Sequence, residues 1–150
     1  MKKIYLFFTA FIMLLSLGLT GCGAQEASAE GFKFTYKTDE ITSENNNKYL
    51  KLTLEVKNTL SEENTLEASK FILKKDTETI SNDVIIGNNI IDAMETETFE
   101  SMQALDTTIS ITLTETLDGT YQLYYGETQL FEINAQKMNN SSSNTDANTN

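Results

Sequence analysis

The chain has 150 residues, 39% of them hydrophobic, with 11 lysines, no arginine and 22 acidic residues, for a formal charge of −11. Histidine, tryptophan and proline are absent, and Cys22 is the only cysteine. These absences exclude Ser-His-Asp and Cys-His catalysis, histidine-ligated zinc and a disulfide scaffold, while the acidic balance excludes nucleic acid as a partner.

Lys2 and Lys3 precede an apolar run from Ile4 to Leu19, broken only by Thr9, Ser16 and Gly18. The run is shorter than the roughly 20 residues a spanning helix needs, so residues 1–21 read as a helical signal peptide. Leu19-Thr20-Gly21-Cys22 closes it with an aliphatic residue, a small residue, glycine and cysteine. This motif resembles the lipobox of bacterial lipoproteins. The resemblance implies recognition of Leu19, Thr20 and Gly21 by a dedicated signal peptidase, cleavage before Cys22, and a diacylglyceryl thioether on Cys22, with N-acylation as a further modification. No other cofactor is expected. Two or three acyl chains supply the two hydrophobic signals that stable anchoring requires. The alternative is a short uncleaved anchor helix. Removing residues 1–21 leaves nine lysines against 22 acidic residues, a charge of −13. Anionic lipid repels such a domain, so the anchor must hold it at the membrane.

The expected location is therefore the extracytoplasmic face of the cell membrane, lipid-anchored. The Lys, Asn, Thr and Ile bias without arginine suggests a Gram-positive source. Leu14 to Gly21 also resembles the short hydrophobic pheromone peptides released from some lipoprotein leaders, which gives a second functional reading.

After Cys22, residues 22–31 are small, polar and acidic and read as a flexible tether. Residues 138–150 lack large apolar side chains and read as a disordered tail. Residues 32–137 make one domain, expected to be monomeric. Within it Phe32, Phe34 and Tyr36 alternate with polar residues, as do Leu50, Leu52, Leu54 and Val56, then Ile109, Ile111 and Leu113, then Tyr121, Leu123 and Tyr125. Period-two alternation puts one face in a core and the other in water. Asn45-Asn46-Asn47, Gly87-Asn88-Asn89, Asp118-Gly119 and Gly126-Glu127 supply turns between the runs. Ser61 to Ser69 reads as a loop or one helical turn before a strand at Phe71 to Leu73, and Ala93 to Leu105 keeps no clean period. Six to eight strands in this pattern predict an all-β fold, an antiparallel β-sandwich.

Lys48 to Thr59 (KYLKLTLEVKNT), Phe71-Ile72-Leu73-Lys74 and Ile109 to Tyr125 resemble the immunoglobulin-like extracellular domains of bacterial surface lipoproteins, the DUF4352-like family. The resemblance implies an immunoglobulin-like sandwich. Where that family has Pro-Gly before the penultimate strand, this chain has Gln103-Ala104-Leu105-Asp106.

Glu62, Glu63 and Asn64, with Asp76 and Asp83, offer oxygen donors for Ca²⁺, but no EF-hand spacing is present and a solvated acidic loop is expected. Glu95, Glu97 and Glu100 could pair for glycoside hydrolysis, yet they read as the wet face of a strand, so no catalytic residue is assigned. A carboxylate-dependent envelope hydrolase stays as an alternative. Tyr124, predicted to point outward beside Gln122, is the candidate binding surface. Lys70, Lys74 and Lys75 read as edge-strand lysines that oppose aggregation. The expected function is a binding or accessory role at the cell surface, with an envelope or membrane protein as partner.

Overall fold

Leu50, Leu52, Leu54 and Val56 are all 0% exposed. They alternate along a 12-residue strand with Lys51, Thr53, Glu55 and Lys57, which are only partly buried. Each such side chain contributes about 1.5–3 kcal/mol when fully buried. The computed structural model describes residues 24–44, 46–81, 83–88 and 92–135. Their strands, in chain order, are β1 (Glu26–Ala29), β2 (Phe32–Glu44), β3 (Asn47–Asn58), β4 (Asn64–Glu67), β5 (Phe71–Lys75), β6 (Glu78–Ser81), β7 (Val84–Ile86), β8 (Thr96–Phe99), β9 (Ala104–Leu113), β10 (Thr120–Tyr125) and β11 (Thr128–Asn134). Eleven strands are thus present among the described residues, where six to eight were expected.

One sheet has the order β1-β2-β3-β9-β7 and a second the order β11-β10-β5-β6, with β4 and β8 forming a separate pair. All pairings are antiparallel. In the first sheet β2, β3, β9 and β7 take the A, B, E and D places of an immunoglobulin sandwich; β11, β10 and β5 take G, F and C in the second. The all-β antiparallel sandwich expected from the alternation is the observed fold, and its strand order is that of the immunoglobulin-like sandwich. Tyr121 adds a further mark of that fold: near the start of β10, its hydroxyl oxygen accepts the Asp118 N–H at 3.0 Å, tying the strand entry to the chain just upstream.

The inner faces meet in an aromatic cluster. Phe34 lies 5.4 Å from Tyr125 and 6.0 Å from Phe71, and Phe32 packs edge-on to Phe99 at 5.5 Å between ring centroids. Such edge and tilted pairs add about 0.5–1.5 kcal/mol each beyond burial. The buried Asn58 follows Val56 at the next inward position. Its amide nitrogen donates to the carbonyls of Glu62 (2.7 Å), Glu100 (3.0 Å) and Phe99 (3.3 Å), and its Oδ1 accepts the Leu60 N–H at 3.0 Å.

The structure corrects the sequence reading in three places. Residues 26–29, assigned to the tether, form β1 and pair with Phe32–Thr35 of β2. A ladder uses backbone groups that Ala and Ser supply as well as Val does, so the pairing leaves no hydrophobic signature. Within Ser61 to Ser69, read as a loop or one helical turn, Asn64–Glu67 form a strand, β4, before the one helical turn found, a 3₁₀ turn at Ala68–Lys70. Finally, β5 lies between β10 and β6, so Lys74 and Lys75 are on an interior strand rather than an edge.

The β1–β2 turn is Glu30-Gly31, with φ of 49° and 80°. Both values are left-handed, as a type I′ hairpin demands. A Cβ on Gly31 would lie 2.8 Å from Leu60 Cγ, whereas Gly119, also left-handed, has open space around it. Gly119→Ala is expected to cost only the left-handed strain, about 1–2 kcal/mol. Gly31→Ala should cost more, because Leu60 must also move; equal urea midpoints for the two variants would contradict this.

Candidate functional site

Cys22, Leu19, Thr20 and Gly21 lie outside the described residues, as do the Leu14 to Gly21 segment and the tail from 138 to 150. Among the described residues no helix is long and apolar enough to cross a membrane.

Tyr124 and Gln122 are brought together with β5 on the outer face of the four-stranded sheet. Pairing sets Gln122 against Lys74 and Tyr124 against Ile72 on one side, and against Glu132 and Gln129 on the other. Tyr124 points outward by parity, yet it is only half exposed. Lys74 Nζ sits 4.5 Å from its ring centroid, and its hydroxyl lies 3.4 Å from Gln129 Oε1. A lysine over an exposed aromatic face contributes about 0.5–1 kcal/mol. Gln122 Oε1 is buried without a hydrogen-bond partner. The face thus presents a ring and a cation on a rigid sheet, while the Gln122 amide oxygen is withdrawn from solvent.

The other lysines of the cluster are engaged. Lys70 bridges Glu30 (2.7 Å) and Glu67 (2.8 Å), which together raise its pKa well above the ordinary lysine value. Lys75 pairs with Asp118, whose carboxyl is lowered by that hydrogen bond. All three ion pairs are solvent-exposed and so contribute little.

Glu95 and Glu100 are exposed, and Glu97 Oε2 accepts the Thr107 hydroxyl at 3.1 Å. Among the described residues no group of three or more carboxylates, cysteines or histidines is placed to hold a metal ion.

A feature the sequence reading missed is a cleft of about 270 Å³ lined by Asn47, Tyr49, Asp83, Ile85 and Thr112, on the outer side of the five-stranded sheet. Its sequence signal is slight: Tyr49 is buried although the inward positions of β3 begin at Leu50.

Tyr36 packs edge-on to Phe131 at 5.5 Å. Burial, then a hydrogen bond and the negative charge of Asp39, push its phenol well above the usual tyrosine value. Burial also raises Tyr125, against the lowering effect of the Glu67 N–H that its oxygen accepts. The folded state therefore holds the neutral phenols, while unfolded tyrosine ionises near 10.0. Stability is fully present below that pH and is lost as pH rises above it. The urea midpoint should stay level up to that value and then fall, with a shallower fall in Tyr36→Phe. An unchanged alkaline slope in Tyr36→Phe would contradict the assignment.

Compared with protein-family models, curated proteins and solved structures, the chain matches none of them.

Proposed function

We propose that this chain is a membrane-anchored extracytoplasmic lipoprotein, lipidated on Cys22, whose immunoglobulin-like domain serves a binding or accessory role at the bacterial cell surface. The observation that carries this is Leu19-Thr20-Gly21-Cys22 at the end of a charged, then apolar, leader. The DUF4352-like resemblance of the strand motifs belongs to the same proposal. The binding half is supported by the outer face at Tyr124, Lys74 and Gln122, where rigid strands hold an aromatic ring beside a cation. A protein or peptide of the envelope is the proposed partner class.

The experiment is mass spectrometry of the N-terminal peptide from membrane-fraction protein. A peptide beginning at Cys22 and carrying a diacylglyceryl mass is the expected result. A peptide that still begins at Met1 would overturn the anchor. For the binding role, crosslinking in cells should place captured partners near Lys74, and crosslinks spread evenly over all lysines would count against that face.

A further inference from the structure

The lipid anchor proposed above has a geometric consequence that rests on that reading. We infer that the domain lies side-on against the phospholipid surface, with the β1 edge toward the bilayer and the long axis of the sandwich parallel to it. The first described residues are already part of the fold: the Tyr36 N–H donates to the Gln25 carbonyl at 2.8 Å, and β1 starts at Glu26. Three Cα–Cα links separate Cys22 from Gln25, a covalent reach of at most about 11 Å.

That reach decides the orientation. Gln25 stands opposite Tyr36, the fifth residue of the 13-residue β2. At about 3.3 Å per residue, the Glu44 end of β2 lies roughly 26 Å away and the Phe32 end roughly 13 Å away. Standing on the Glu44 end is beyond the tether. Standing on the other end is also out of reach, since the Glu30-Gly31 turn projects past Phe32. Charge opposes that second pose as well. Glu62, Glu63, Glu100 and Glu127 are all exposed in the loops at the Phe32 end, where anionic lipid would repel them.

Side-on, the strand next to β1 presents both cations and carboxylates. Lys33 and Lys37 face outward on β2, about 40% exposed. They pair with Glu26 (2.9 Å) and Glu55 (3.3 Å), while Asp39, Glu40 and Glu44 farther along the same strand keep this side of the domain acidic. The short reach from Cys22, rather than charge, therefore sets the orientation.

The test is lysine acylation of the lipidated protein in phosphatidylglycerol-containing phosphatidylcholine vesicles, compared with the same protein in neutral detergent. Loss of acylation at Lys33 and Lys37, with Lys48, Lys70 and Lys75 unchanged, is expected. Inserting about 12 Gly and Ser residues between Gly23 and Ala24 extends the average reach to about 20 Å and should restore acylation. Uniform reactivity on sedimenting vesicles, protection centred on Lys48 and Lys75 or on Lys70, or protection that survives the insertion would each overturn the orientation. Protein that fails to sediment with vesicles would overturn the anchor, and the orientation with it.

Discussion

Cys22→Ala is expected to abolish fatty-acid incorporation and to leave residues 1–21 on the polypeptide. In lipobox processing, cleavage follows lipidation, so the variant should accumulate as the larger precursor. The uncleaved leader from Ile4 to Leu19 would then keep some of it at the membrane, which makes size and label better readouts than fractionation alone. Placing the Cys22→Ala domain behind a leader cut by the general signal peptidase removes that ambiguity. This second variant should leave the membrane entirely. Each buried acyl CH₂ contributes about 0.8 kcal/mol, so losing two chains removes the attraction, and a charge of −13 leaves only repulsion at an anionic surface. Wild type and Cys22→Ala of equal size, neither labelled by fatty acid, would show that the leader is a permanent anchor and that Cys22 carries no lipid.

Much of the sandwich could be read from alternation, because its large strands bury one face only. Leu50 to Val56, Ile109 to Leu113 and Tyr121 to Tyr125 fall on β3, β9 and β10 with the expected faces inward. The turn signals Asp118-Gly119 and Gly126-Glu127 sit beside strand boundaries. The short elements escaped for a physical reason. In β4 and β8 a single side chain, Leu66 and Phe99 respectively, enters the core, and one apolar residue has no period. In β1 the inward positions are alanines, so the ladder with β2 carries the pairing.

The candidate face divides in the same way. Parity along β10 turns Tyr124 outward, and that much is local. The Lys74 ammonium over its ring depends on the β5–β10 register, which no stretch of either strand specifies alone. Residues from separated loops form the acidic end of the sandwich, while strands β3, β7 and β9 meet at the Tyr49 cleft. Both need the tertiary fold before they exist. Asn58 is a different case. It lies near the end of the Lys48 to Thr59 run, where an asparagine at the inward position after Val56 is an anomaly that parity exposes. Buried polar groups are retained where they are hydrogen-bonded, so such an anomaly points to a structural junction.

That junction sets the second large effect. Asn58→Ala is expected to destabilise the domain by about 2–3 kcal/mol, lowering its melting temperature by roughly 10–20 °C. The side-chain amide joins the loop after β3 to the loop after β8, through Glu62 on one side and Phe99 and Glu100 on the other. Alanine leaves the Phe99 carbonyl without this donor and opens space where the amide stood. Glu62 and Glu100, nearer the surface, can turn their carbonyls to water, which keeps the loss below that of three fully buried bonds. Asn58→Asp separates hydrogen bonding from volume. It keeps the acceptor for the Leu60 N–H but turns a carboxylate toward three carbonyl oxygens. Burial and those oxygens would raise that carboxyl in the folded state, so its protonated form is the compatible one. The aspartate variant should therefore be at least as unstable as alanine at neutral pH, and the gap to wild type should narrow as pH falls through the carboxylate range. An Asn58→Asp domain as stable as wild type at neutral pH would show that the amide protons do not hold the two loops together.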